Sequence, residues 1–224
     1  MGVLADLKSD LREFGDRTGS WFDAFIAPLV FVIVNSLAGA RPAAAAAIAM
    51  ALALVLWRVV RRQPIRYAIA GVGGTLVAAG LAAYSDRGEA YFLPGVVTSA
   101  AYSLVFFASV FWGKPAVAWA SLWTRRFPKD WYWHPRVRPA YTEATVMWGA
   151  FFFARAGFLG RAVANERVVE AATIRILAGW PAIVGLILLT QVYGRWRLRR
   201  LAGPSTDEFE EGVAPPWLGH SGGF

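Results

Sequence analysis

The sequence contains no cysteine and only two histidines, His134 and His220. The first absence excludes disulfide scaffolds, thiolate metal sites and cysteine nucleophiles, and the second leaves little for an imidazole metal centre or a Ser-His-Asp triad. Catalytic signatures are missing too: there is no HExxH, GxSxG, GxxxxGK[ST], paired-aspartate metal motif or dinucleotide fingerprint. A non-enzymatic protein with no cofactor and no metal is therefore expected. Charge is also sparse, at 17% Asp, Glu, Lys and Arg, and it is unbalanced, with 23 basic residues against 15 acidic. What fills the chain instead is apolar: 57% hydrophobic residues in 224, with a mean hydropathy of +0.42. One ordinary soluble domain does not have that composition.

The apolar residues are gathered into six stretches, each near the roughly 20 residues a helix needs to cross hydrocarbon. They cover residues 21–40, 43–60, 65–84, 94–112, 140–158 and 171–194, separated by Arg-Pro, Gln-Pro or charged loops. Only helices and closed barrels satisfy backbone polar groups in lipid, and these runs lack the period-two alternation of barrel strands. The expected fold is all-α, a polytopic membrane bundle of six transmembrane helices within residues 21–200.

Sorting the basic residues by loop gives the threading. The amino-terminal segment (Lys8, Arg12, Arg17), the second loop (Arg58, Arg61, Arg62, Arg66), the fourth (Lys114, Arg125, Arg126, Lys129, Arg136, Arg138) and the tail (Arg195, Arg197, Arg199, Arg200) hold 17. The alternate loops hold four: Arg41, Arg87, Arg161 and Arg167. Both termini and the long fourth loop are thus placed in the cytoplasm, in a multi-pass protein of the cell membrane. Trp21, Trp57, Trp112 and Trp196 fall at the cytoplasmic ends of spans, where an indole keeps its N–H wet and its ring in lipid. Residues 1–20 read as an amphipathic surface helix, with Leu4, Leu7, Leu11 and Phe14 on one face. Residues 201–224, rich in Gly, Pro, Ser and acids, read as a disordered cytoplasmic tail.

Two groups of residues stand out against this topology. Arg155 and Arg175 fall inside spans, in the outer leaflet, at a depth comparable to Asn35, Thr98, Ser99 and Tyr102. Together these residues are candidates for an anion or lipid-headgroup pocket in which two guanidinium groups hold a phosphate or carboxylate. The commoner arrangement has both arginines snorkelling to headgroups or pairing with Glu166, Glu170, Asp86 or Glu89.

The second group is the interfacial loop 114–138. Lys114, Trp119, Trp123, Arg125, Arg126, Lys129, Trp131 and Trp133 mix aromatic rings with cations, which suits binding to an anionic lipid surface. The same mixture can bind nucleic acid, but its place between spans points to the phospholipid bilayer and away from nucleic acid. Small residues in the second and third spans, including Gly71, Gly73, Gly74, Gly80, Ala78 and Ala79, favour close helix packing, within the bundle or between copies in a homo-oligomer. Pro28 and Pro181 should bend their helices, and Gly179-Trp180-Pro181 is the better candidate for a kink or an opened backbone segment.

Three sequence runs carry a family resemblance: Asp86-Arg-Gly-Glu-Ala-Tyr-Phe-Leu-Pro94, the Lys114-Pro115 step, and the run from Arg138 to Arg155 containing Trp148, Phe151 and Phe152. In these the chain resembles, over residues 20–200, an uncharacterised actinobacterial integral membrane family known as a domain of unknown function. That family is distantly similar to the intracellular septation protein A group. The resemblance implies a multi-span inner membrane protein associated with envelope maintenance or division, and it supplies no catalytic residues.

Three readings follow. The first is a non-enzymatic factor that organises lipids or proteins in the cell envelope. The second is a small transporter or flippase for an anionic lipid or metabolite, with Arg155 and Arg175 as clamps. The third, an enzyme acting on a lipid headgroup, lacks a nucleophile or metal constellation.

Overall fold

A computed structural model describes residues 26–61, 66–220 and 224, and the side chains of all of these except 66–71. The amphipathic stretch 1–20, Trp21 and Gln63-Pro64 lie outside the described residues. All regular structure among the described residues is helical. In chain order it comprises α1 (Ile26–Ala38), α2 (Ala40–Val60), α3 (Arg66–Ser85), α4 (Leu93–Phe111), α5 (Ala116–Arg125), α6 (Arg138–Ala164), α7 (Val168–Leu177), α8 (Trp180–Leu201) and α9 (Thr206–Glu210). Short 3-10 turns at Gly88–Phe92 and Lys129–Trp133 precede α4 and α6.

Helices occupy each of the six apolar stretches, and three segments are long and apolar enough to cross a membrane: Ala40–Val60, Gly88–Phe111 and Val168–Leu201. α1 and the Val72–Ser85 part of α3 are apolar but shorter. α6 is 27 residues long but carries Arg138, Glu143, Arg155 and Arg161. The long helices turn apolar side chains outward. α4 exposes Val97, Leu104, Val105 and Phe111, and α8 exposes Ile187, Leu188, Leu189 and Val192. Such continuous apolar faces suit hydrocarbon rather than water. At the candidate kink the helix opens: α7 ends at Leu177, and α8 restarts at Trp180. A Cβ at Gly179 would lie 2.6 Å from the Arg175 carbonyl oxygen, so the turn requires glycine.

The described chain divides into two compact units, one built from residues up to Val96 with Phe158–Trp180, the other from Val97–Gly157 with Pro181–Phe224. In the first, α2 packs on α3. Ala40, Ala43, Ala44, Ala47 and Ala51 form the buried stripe of α2, and Ala78, Ala79 and Ala82 are buried on α3. Methyl-sized side chains at helical spacing allow the backbones to approach closely. The glycines do not share this face: Gly73, Gly74 and Gly80 have open space where a side chain would point. Phe31 stacks on Tyr91 at 4.1 Å and meets Phe92 edge-on at 6.5 Å, closing the core.

The second unit has a different core, made of Trp131, Tyr132, Val137, Tyr141, Leu198 and Phe224 with Ala118, Ala140 and Ala144. Much of it comes from residues expected to be a surface loop and a disordered tail. Residues 202–220 fold onto residues 125–141. Ser205 caps α9 in a reciprocal capping box with Glu208, and Arg136 donates to the Ala202 carbonyl at 3.3 Å. Phe224 stacks on Tyr141 at 4.3 Å, against Gly194, where a Cβ would run into its ring. Aromatic burial and a helix cap outweigh the polar composition from which disorder was expected.

Candidate functional site

In the second unit, the turn from α4 into α5 is a rigid corner. α4 ends in a Schellman arrangement, with Gly113 at φ +67°, the Gly113 N–H on the Val110 carbonyl at 2.9 Å and the Lys114 N–H on the Ser109 carbonyl at 3.0 Å. α5 begins after Pro115, which has no side-chain oxygen to cap it. Its first donors are taken by neighbours instead. The Ala116 N–H donates to Ser109 Oγ at 3.0 Å and the Val117 N–H to Thr145 Oγ1 at 3.2 Å. Those hydroxyls are fixed in turn, Ser109 donating to the Phe106 carbonyl at 2.7 Å and Thr145 to the Tyr141 carbonyl at 2.6 Å. Orphan helix-start donors are thereby satisfied, and α5 is held in one orientation.

That orientation buries Ala118 and Ser121 and turns the opposite face outward. Ala116, Trp119, Ala120 and Trp123, at spacings of three and four, line an open groove with Val105, Ser109, Trp112 and Lys114. Its volume is about 680 Å³. Trp112 is 79% exposed and Trp123 78%. Trp119 between them is steadied by the Trp133 ring at 5.8 Å and by the Lys129 ammonium, 5.8 Å from its centroid. Lys114 is exposed at the rim, and Arg138 Nη1 lies beside Gly113, 3.8 Å from where a Cβ would stand.

The residues expected to bind a membrane surface divide three ways. Lys114, Trp119 and Trp123 line the groove, and Arg126 and Lys129 are exposed beside it. Arg125 is exposed but tethered, its Nε donating to the Phe224 carbonyl at 2.9 Å and its Nη2 to Gln191 Oε1 at 3.3 Å. Trp131 is a correction: it is fully buried, its indole N–H donates to the Pro204 carbonyl at 2.9 Å, and it cannot touch lipid. Trp133 is half-buried against the same core. Sequence reasoning missed Val105, Ser109, Ala116 and Ala120 as groove residues. The signal was the apolar set 116, 119, 120 and 123, which a helix places on one face.

The polar groups around this core are similarly occupied. Ser121 and Tyr132 share a hydroxyl contact of 3.2 Å, and burial pushes the Tyr132 phenol above its ordinary range. Burial, helped by the Arg136 charge, holds His134 below its usual value, and its Nδ1 accepts from the Arg136 N–H at 3.2 Å.

The residues of the expected arginine pocket fall in both units. In the first unit, Arg175 is half-buried with its guanidinium 5.4 Å from the Tyr91 ring and 6.0 Å from Phe92. Asn35, also half-buried, packs its amide against Gly88, where a Cβ would collide with it. In the second unit, Arg155 is half-buried, Ser99 buried, Thr98 exposed, and Tyr102 is 55% exposed with its ring 5.1 Å from Phe152. The carboxylates considered as partners for the pair are bonded to other arginines. Arg87 pairs with Glu89 and Glu166 at 2.5 and 2.8 Å, Arg161 and Arg167 with Glu170 at 3.2 and 3.0 Å, and Arg41 with Asp86 at 3.6 Å. Among the described residues no cluster of His, Cys, Asp or Glu is arranged to hold a metal.

The chain belongs to the family described as protein of unknown function DUF3159, whose model matches residues 15–200. That match contains the stretch 20–200 over which the sequence resembles an uncharacterised family. No curated protein and no solved structure matches the chain.

Proposed function

Taking that family membership as the premise, we propose that the chain is a six-span integral protein of the cell membrane, with both termini cytoplasmic. It acts without chemistry of its own, gathering anionic lipids at its cytoplasmic face in the service of envelope maintenance or division. The observation that carries this reading is the α4–α5 corner, where Phe111, Trp112 and Trp123 are exposed beside Lys114, Arg126 and Lys129. Aromatic rings sit well at headgroup level, and each near-surface cation is worth about 1 kcal/mol of attraction to an anionic leaflet. The 17 to 4 distribution of basic residues supports placing that corner on the cytoplasmic side. Two arginine-charged pairs repeat the theme at the ends of α2 and α8: Arg61 lies 4.6 Å from the Trp57 ring, and Arg200 lies 4.6 Å from Trp196.

The test is lipid enrichment around the full chain in mixed bilayers, read by energy transfer from tryptophan to labelled lipid. Labelled phosphatidylglycerol should be enriched over labelled phosphatidylcholine, and the double variant R126Q/K129Q should weaken the preference. Equal transfer to both lipids in the unaltered protein refutes the reading.

A further inference from the structure

Resting on that reading, the geometry points to something narrower than a general affinity for an anionic surface: we infer that the α4–α5 groove is a site for one anionic phospholipid. An acyl chain lies along its apolar lining and the phosphodiester sits at Lys114.

The lining decides the chemical class. The apolar lining consists of Val105, Trp112, Ala116, Trp119, Ala120 and Trp123. Ser109 is the lining hydroxyl; its proton is donated to Phe106 and one lone pair accepts from Ala116, so it has no donor left to offer a ligand. The remaining polar lining groups are the Lys114 ammonium and the indole N–H groups of Trp112, Trp119 and Trp123, all of them donors suited to an anionic ligand. A sugar, nucleotide or peptide would leave most of its donors and acceptors without partners on such walls, at a cost for each. A ligand with one long apolar limb and one anionic group leaves none. The volume falls within the roughly 300–1,000 Å³ of sites that bury small ligands.

The charge at the rim selects among lipids. Lys114 and Arg138 flank the Gly113 turn, and neither forms an ion pair among the described residues. Two cations attract a phosphodiester and repel the amine of a zwitterionic headgroup. A single acid, Asp130, lies among the six cations of residues 114–138, so a headgroup amine meets little compensating charge. The site is also preformed. The Schellman turn at Gly113 and the two hydroxyl caps on α5 fix the angle between the walls, which reduces the ordering cost of binding.

The test uses the full chain, stripped of lipid in detergent and titrated with phosphatidylglycerol or phosphatidylcholine, with bound lipid counted by native mass spectrometry. The unaltered protein should retain one phosphatidylglycerol that survives activation, in clear preference to phosphatidylcholine. Ala120→Trp, at an exposed lining position, places a large side chain in the groove while leaving every charge in place. It should lose the retained lipid but keep the anionic enrichment seen in bilayers. Ala120→Leu is the milder form if the tryptophan variant melts at a lower temperature than the parent. Lys114→Gln should lower the preference roughly fivefold, the worth of one near-surface cation, and Lys114→Arg should restore it. Retention of the same single lipid by a folded Ala120→Trp protein overturns the groove site and leaves the broader proposal standing. Loss of anionic enrichment in the parent bilayers overturns the broader proposal itself.

Discussion

The loops of the first unit and the interfacial stretch of the second treat charge in opposite ways, although the second unit also pairs Arg197 with Glu143 between its helices. In the first, the four arginines of the lightly charged loops, Arg41, Arg87, Arg161 and Arg167, all contact acids, and Asp86, Glu89, Glu166 and Glu170 are used in doing so. In the second, residues 114–138 carry six cations and one acid. Paired charges satisfy each other and have little left for a ligand or a membrane. Unpaired ones beside exposed indoles are available to an anionic surface. Their cores differ in parallel, alanine stripes in the first and a dense aromatic cluster in the second. A count of basic residues by loop captures the asymmetry, but only the geometry separates neutralised cations from available ones.

The sharpest test of the second unit is Trp131→Ala. The side chain is fully buried, rests against Phe127, Tyr132, Tyr141 and His220, and holds the tail through Pro204. Truncation should cost about 3–5 kcal/mol. Thermal unfolding in detergent measures it, together with faster proteolysis between residues 203 and 220. If Trp131 instead served the membrane surface, stability would change little and lipid enrichment would fall.

In the first unit the matching lesion is Arg87→Gln. It leaves Glu89, 6% exposed, without the guanidinium that neutralises it, and removes the partner of Glu166. The melting temperature should drop by less than for Trp131→Ala but by more than for Arg126→Gln, whose side chain is exposed and lies outside the ion-pair set. Lipid preference should stay unchanged, because these charges are already consumed. A shift in lipid preference would break the comparison between the units.

Acidification should loosen the tail of the second unit. His134 packs edge-on to Phe209 at 6.3 Å and Trp217 at 5.3 Å, with Arg136 over the Trp217 ring at 5.4 Å. Because its folded value is held below the ordinary one, the unfolded chain binds the proton first. The stability it contributes is present above about pH 6.5 and lost as pH falls through the lower folded value. Glu208 follows with the same sign at lower pH. Its carboxylate accepts from the backbone N–H groups of Ser205 and Leu218 at 2.8 and 2.7 Å, which holds it below the usual carboxylate range. Limited proteolysis of residues 203–220 should therefore accelerate in two stages on acidification, and His134→Gln should abolish the first. A tail equally resistant at about pH 7 and 5 contradicts this account.

Much of the fold is legible in the sequence because hydropathy and helix punctuation are local. The break expected at Gly179-Trp180-Pro181 occurs where the backbone has no room for a Cβ. Whether a tryptophan faces lipid or core is not local. Trp123 and Trp131 sit in the same basic loop, yet one is 78% exposed and the other not at all, and the difference is made by Tyr141 on the next helix and by Pro204 and His220, far away in sequence. The ordered tail did leave one local trace, the Ser205-Thr-Asp-Glu208 capping box. Composition masked it, because glycine, proline and acids around a five-residue helix average to a disordered signature.

The smallest expected effect tests how each unit closes a helix. α4 in the second unit and α6, at its end in the first, finish with the same pair of backbone bonds. At α6 the Glu166 N–H meets the Val163 carbonyl at 3.1 Å, and the Arg167 N–H meets the Ala162 carbonyl at 2.9 Å. The left-handed position is glycine at Gly113 and glutamate at Glu166, with φ of +67° and +59°. A side chain there costs about 1–2 kcal/mol, so Gly113→Ala should destabilise by that amount and also disturb the groove's corner. Glu166→Gly relieves the same strain but gives up the contact with Arg87. That contact is with a carboxylate whose side chain is 69% exposed, where an ion pair contributes little. The glycine variant should therefore melt at or slightly above the parent temperature. A clear loss of stability would mean that the Arg87 and Glu166 contact is worth more than the strain it imposes, making the charged loops of the first unit a structural clamp.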